Sequence, residues 1–232
     1  MAQPPDTPPF DSPPLDEAAG RGRPKDEQKR AALLAAAQRL FLEHGFDGAS
    51  IDKIAAEAGV AKVTVYSHFG GKDQLFAEAV RARCDSFMSD DAVEALRGGG
   101  VEDRLLRLGQ LFLGLILDPD STDVHRLVIG EGPRHPEIAQ AFLENAVLST
   151  CVKVNALLER EVRAGTLEVE DTMAASGHFL ALVKGLPQMK AMMGLSPGSP
   201  EELDAHVRSA VGAFARAYAP RLSHGTRSPD RA

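Results

Sequence analysis

The stretch Lys62-Val63-Thr64-Val65-Tyr66-Ser67-His68-Phe69 concentrates an ammonium, two hydroxyls, a phenol and an imidazole in one short segment. Val65 and Phe69 stand four apart, the spacing that turns both to one side of a helix and anchors it inward. The polar side chains then face outward, and such a set suits mixed contact with phosphate oxygens and base edges of DNA. Any short amphipathic helix also turns its polar residues outward, so this spacing alone leaves a plain solvated face as the alternative.

Other chemistries find weaker support. Asp118, Asp120 and Asp123 with His125, or His135 with Glu131 and Glu137, are the candidate catalytic or metal-binding groups. The Asp-rich stretch lacks the Gly and terminal Glu of a calcium loop. It also spans a helix stop and start, where Asp belongs for local backbone bonding. His125 and His135 match no zinc spacing, and there is no Gly-rich phosphate loop, nucleophile elbow or paired-His helix. The sequence therefore predicts no enzyme, no metal and no cofactor, with Cys84 and Cys151 as two free thiols.

The elements that must position the polar stretch are helical throughout. A first helix is predicted over 26–44, from Leu33, Leu34, Ala37, Leu40 and Phe41 at three- and four-residue intervals, with Gly45 as its C-terminal cap. Ser50 caps a short helix ending before Gly59, and a tight turn leads into 62–69. Gly70-Gly71 closes that segment, and Lys72 opens a helix expected to run to Leu96. Further helices are predicted over 101–117, 121–130, 135–164, 169–193 and 200–219, and no strand signal occurs. The expected fold is all-α: a Pro-rich disordered tail (1–20), a three-helix helix-turn-helix unit (21–80), a larger helical domain (81–220) and a flexible tail (221–232).

The run from Phe46 to Lys72 closely resembles the DNA-binding domain of the TetR family of bacterial transcriptional regulators. Its Ile54-Ala55-Ala56-Glu57-Ala58-Gly59-Val60 turn, Thr64-Val65-Tyr66-Ser67-His68-Phe69 and helix-opening Lys72 carry the likeness. The resemblance implies that Ser50, Tyr66 and Lys72 contact phosphates. It also implies that Lys62, Thr64, Tyr66 and His68 occupy recognition-helix positions, Thr64 meeting a base or phosphate; Ser67 joins them as a candidate DNA contact by its place on the same polar face. Ala61 departs from the commoner Ser or Thr and removes a cap. Val63 stands where a smaller residue or Pro is common, so it can meet a thymine methyl. Arg23, in the arm Arg21-Gly22-Arg23-Pro24-Lys25, reads either as a minor-groove or phosphate contact or as a solvated charge run.

The resemblance further implies a cytoplasmic homodimer that binds a double-stranded palindromic operator, represses, and is released by a small-molecule effector. An activator or corepressor-dependent regulator of the same family is the alternative. Phe112, Ile116, His125, Leu127, Phe142, His178, Phe179, Val183 and Met189 are candidates for lining an effector pocket; the same spacing also describes plain core. Phe179, Leu182, Leu186 and Met193, with Leu203, Val207 and Phe214, form stripes on successive helices that can pair with a second copy or face the protomer's own core.

The chain of 232 residues carries a formal charge of −7. No run of 18 or more apolar residues and no basic-then-apolar leader is present, so neither a membrane partner nor a secretory signal is expected. The charge is unevenly spread: residues 21–81 hold 10 basic and 8 acidic side chains, and the acidity lies elsewhere. Overall acidity therefore does not exclude DNA, but attraction must come from a few placed cations rather than a broad basic face.

Overall fold

The computed structural model describes residues 23–96 and 98–220, with the side chains of 23–25 left out. The expected Pro-rich and C-terminal tails, Arg21 and the Arg23 side chain lie outside the described residues. Every regular element among the described residues is helical.

Helix α1 (Arg23–Gly48) buries Leu33, Leu34, Ala37, Leu40 and Phe41, the stripe read from the sequence. It breaks at Gly45, whose φ of 71° lies in the left-handed region that favours glycine. Helix α2 (Ile51–Glu57) is capped by Ser50 and ends in a Schellman pair: Gly59 N–H donates to Ala56 O and Val60 N–H to Ala55 O. Gly59, at φ 67°, makes that turn possible. Helix α3 (Lys62–Phe69) follows, then α4 (Lys72–Phe87).

The expected continuation of α4 to Leu96 does not occur. Met88 leaves helical geometry and Ser89 accepts the Ala92 N–H, starting α5 (Asp90–Glu94) with two acids in its first turn. Helix α6 (Val101–Leu117) leads to α7 (Pro119–Glu131), which begins before the expected residue 121. Asp118 accepts the Ser121 N–H, and Pro119 takes the first helical position, where a missing N–H costs nothing.

Residues Pro136–Arg163 form one helical run of 28 residues, long and apolar enough by length and composition to cross a membrane. It comprises α8 (Pro136–Phe142), a π-helical segment (Leu143–Leu148) and α9 (Ser149–Arg163). In the fold α8 lies against α4, and α9 against α10 (Thr172–Met192). The last helix is α11 (Pro200–Ala217), opened by a Ser199–Glu202 capping box.

Two cores meet along α4. One holds α1 to α4, where Phe41, Phe46 and Phe76 form a three-ring cluster. The other holds α6, α9, α10 and α11, with Phe179 edge-on to Phe214 at 5.3 Å. Within it the Arg104 guanidinium donates from Nε and NH2 to the two Glu161 carboxylate oxygens, at 2.7 and 2.5 Å. Helix α10 breaks at Gly185 (φ 32°), ahead of Pro187. Pro187 has no N–H to give the Val183 carbonyl four residues back. His206 Nε2, on α11, donates to that carbonyl at 2.8 Å instead.

Candidate nucleic-acid interface and the cavity behind it

Val65 and Phe69 are buried, and they press α3 onto the α1–α4 bundle. The opposite face is open: Val63 is 72% and Tyr66 47% exposed, with Lys62 and Ser67 exposed beside them. Thr64 is half-buried, and its carbonyl accepts the Ser67 hydroxyl at 2.9 Å. Lys62 Nζ pairs with Asp52 Oδ2 at 2.9 Å, and this hydrogen bond holds the ammonium pKa above its ordinary value. Lys62 thus reaches α3's outer edge as a charge already partnered, for which a phosphate must compete.

Ser50 caps α2 by accepting the Lys53 N–H at 3.3 Å; its own hydroxyl proton stays available as a donor. Lys72 Nζ sits 4.4 Å over the Phe46 ring and 3.5 Å from the Asp47 carbonyl, at the N-terminal end of α4. Ser50, Lys62, Thr64, Tyr66, Ser67 and Lys72 therefore all lie on the short segment 50–72 that α2, α3 and the start of α4 hold together. His68 is placed differently. Its Nε2 lies 3.1 Å from Asp26 Oδ1 and its ring against Phe69, so it fastens α3 to the start of α1. Sequence spacing could not show this, because Asp26 is remote in the chain.

Behind the bundle lies a cavity of about 140 Å³ bounded by α1, α4, α6, α7, α10 and the 136–163 run. Of the residues expected there, Phe112, Ile116, His125 and Phe142 line it. The others are elsewhere. Phe179 and Val183 are buried in the second core, and Met189 is exposed on the outer side of α10. His178 Nδ1 meets the Tyr218 hydroxyl at 2.7 Å, and Leu127 lines a separate shallow cleft beside Gly45 and Arg134.

Sequence reasoning missed Phe41 and Phe76, which serve both the DNA-reading core and this cavity, and also missed Cys84, Thr150 and Lys184. Burial pushes the Cys84 thiol up to about 11, which keeps it protonated and inert. Arg83, also on the wall, is held by Asp118 and Asp120 across the α6–α7 junction.

The apolar stripes divide in the same way. Leu182, Leu186, Met189 and Met193 run along the exposed face of α10, with Leu186 63% and Met193 60% exposed. Phe179, Val207 and Phe214 are buried inside the protomer, and Leu203 is half-buried against the same core. The expected double stripe is thus a single outer stripe on α10, since the α11 set is occupied by intramolecular packing.

One further contact joins the two cores. Glu131, at the end of α7, accepts the Phe46 N–H at 2.9 Å, and His135 Nε2 lies 3.0 Å from Asp47 Oδ2. His135 Nδ1 is also 2.9 Å from Glu137, and these two carboxylates raise the imidazole's pKa.

Comparison with known proteins agrees with this geometry. Residues 33–79 match the tetR family of bacterial regulatory proteins, and residues 103–220 match the C-terminal domain of AefR-like transcriptional repressors. The chain is 31% identical to the HTH-type transcriptional regulator YdeS of Bacillus subtilis over 151 residues, covering 63% of this chain and 71% of YdeS. A TetR-family regulator from Mesorhizobium loti superposes with a TM-score of 0.72 at 26% identity, over 84% of this chain and 98% of that one. The flavonoid-responsive regulator FrrA superposes with a TM-score of 0.69 at 31% identity, over 84% of this chain and all of that one. An exposed reading face on α3, a Ser50-capped α2 and a matched C-terminal body make this chain a member of the TetR family of helix-turn-helix transcriptional regulators.

Proposed function

We propose that the protein is a cytoplasmic, dimeric repressor that leaves a palindromic operator when a small molecule enters the cavity behind its DNA-reading unit. The observation that carries this reading is the shared wall: Phe41 of α1 and Phe76 of α4 belong both to the reading unit's core and to the cavity lining. An occupant that repacks this wall acts on α1 and α4 directly. It shifts the equilibrium only by its differential affinity for the two arrangements. FrrA is named for its response to flavonoids, and the matched C-terminal model is described as a repressor's; both support the reading.

In the DNA-bound dimer each α3 lies in a major groove, with Ser50, Tyr66 and Lys72 on phosphates and Thr64 and Val63 toward bases. The outer stripe of α10 pairs with its symmetry mate, which fixes the spacing of the two α3 helices. Selecting bound fragments from the source genome tests the reading: it should return a two-fold symmetric site, and a preference-free pool counts against it.

Two variants refine the map of contacts on the selected site. Lys72→Gln should weaken binding to every sequence alike and flatten the salt dependence by about one unit of slope, as for any lost phosphate contact. An unchanged slope takes Lys72 out of the interface. Thr64→Val should change discrimination at one base pair by about 1–3 kcal/mol. If loss is instead uniform across a randomised site library, Thr64 contacts only the backbone.

A further inference from the structure

The cavity's polar groups narrow the chemistry of what it holds. Phe41, Phe76, Phe112 and Phe142 make its walls aromatic, and its volume is about 140 Å³. Apolar cavities of about 150 Å³ hold one benzene ring. Its wall also carries polar side chains: Arg83, Asp120 and Ser121 are joined to one another or to Asp118, Gln38 donates to the Ala79 carbonyl, and Gln188, Thr150, His125 and Lys184 complete the set. Thr150 on α9 is 4% exposed, and among the described residues its hydroxyl has no hydrogen-bond partner. His125 on α7 has Nδ1 2.9 Å from the Ser121 carbonyl, which can only accept, so Nδ1 carries the proton. Its Nε2 is then a lone pair, with no donor among the described residues.

Lys184 on α10 is exposed to solvent at the edge of the cavity and makes no ion pair among the described residues. It stands close enough to act on the protonation of both His125 and Cys151, the neighbour of Thr150. Burial first, and Lys184 second, hold the His125 pKa below its ordinary value against the opposing Ser121 bond. The imidazole is thereby kept neutral near pH 7.

We propose that this cavity is a phenol site: it encloses one hydroxylated aromatic ring, whose O–H donates to His125 Nε2 and whose oxygen accepts from Thr150 Oγ1 and the Lys184 ammonium. The inference rests on the effector reading only for its consequence on DNA. A hydrocarbon leaves Thr150 and the His125 lone pair without partners, the arrangement that costs most in a desolvated site. A carboxylate has no proton for Nε2, and an ammonium meets the charge of Lys184. A phenol alone among these supplies one donor and one acceptor at the same atom.

Calorimetric titration of the full chain at pH 7 with 4-ethylphenol, ethylbenzene and 4-ethylbenzoate tests this. The phenol should bind about tenfold or more tightly than ethylbenzene. His125→Leu should bring the ratio close to one while keeping the ethylbenzene affinity. Thr150→Val, nearly isosteric, should lower the ratio partway, with urea unfolding confirming that each variant is folded. Equal affinity for phenol and hydrocarbon, tightest binding of the benzoate, or binding of none overturns the phenol site.

The same ligands added to protein bound to its selected DNA separate the two proposals. Selective binding of the phenol without DNA release supports the site and overturns the effector reading. Release by ethylbenzene as readily as by 4-ethylphenol overturns the phenol assignment and leaves the effector reading in place.

Discussion

Placing aspartate at both Leu186 and Met193 should turn the protein into a monomer in sedimentation and lower its affinity for the selected site by about 10²–10⁴-fold. Each half-site contact then loses the effective concentration that the linked partner provides. Both side chains are exposed beyond the Gly185 break of α10, with Met189 exposed between them and Leu182 exposed ahead of the break, and exposed apolar residues in such number mark an interface. Because they lie outside the protomer's core, the exchange should leave the helical circular dichroism signal and the unfolding midpoint of the protomer near those of a monomer of intact fold. A charged residue at Phe214 would not make this test, because that ring is fully buried against Phe179 and Tyr218 and its loss would unfold the domain itself. A dimer that persists after both substitutions removes α10 from the interface.

The second large effect concerns stability. Arg104→Met should lower the unfolding free energy by about 3–5 kcal/mol, measured from urea midpoints. Glu161 is almost wholly buried, and its carboxylate depends on the two-pronged bond from Arg104 and a bond from the Thr166 hydroxyl at 2.8 Å. Removing the guanidinium strands a buried charge, whereas Arg104→Met with Glu161→Leu removes both charges and should recover most of the loss.

The same pair sets an acid limit. Burial alone would raise the Glu161 pKa, but the bonds from Arg104 and Thr166 outweigh it and hold it below its ordinary 4.5. The stabilisation is therefore complete above pH 4.5 and fades as pH falls below that value toward the lower folded-state pKa. Arg104→Met should lose this part of the acid slope. An unfolding midpoint that Arg104→Met leaves unchanged would show that the pair carries no net stability.

The orientation of α3 was legible in the sequence because its determinants are local. Val65 and Phe69 fix which side of α3 turns inward, and Ser50 and Gly59 punctuate α2 on either side. The start of α5 was also written locally, in Ser89-Asp90-Asp91, but the apolar pattern running on to Leu96 masked it. What periodicity cannot supply is the partner of an apolar face. Leu186 and Phe179 stand seven apart in the sequence, yet α10 breaks at Gly185 between them, and one faces outward while the other is closed over by α11. Likewise Phe41 and Phe76 look like bundle core, and only the approach of α6, α7 and the 136–163 run leaves space beside them. His68 is the converse case: an imidazole expected on the recognition helix's outer face lies against Asp26 across the bundle.

The join between α1 and α2 constrains how freely such regulators can exchange their reading heads. At Gly45 the backbone φ of 71° strains any residue with a Cβ, and an added Cβ would also push the Glu131 carboxylate aside. The next residue, Phe46, must also offer its N–H to that same carboxylate. A chimera carrying another protein's helix-turn-helix on this body will seat only if the graft brings a glycine there, followed by a residue other than proline. The body thus screens incoming heads by main-chain shape at two positions, leaving the exposed residues of α3 free to diversify.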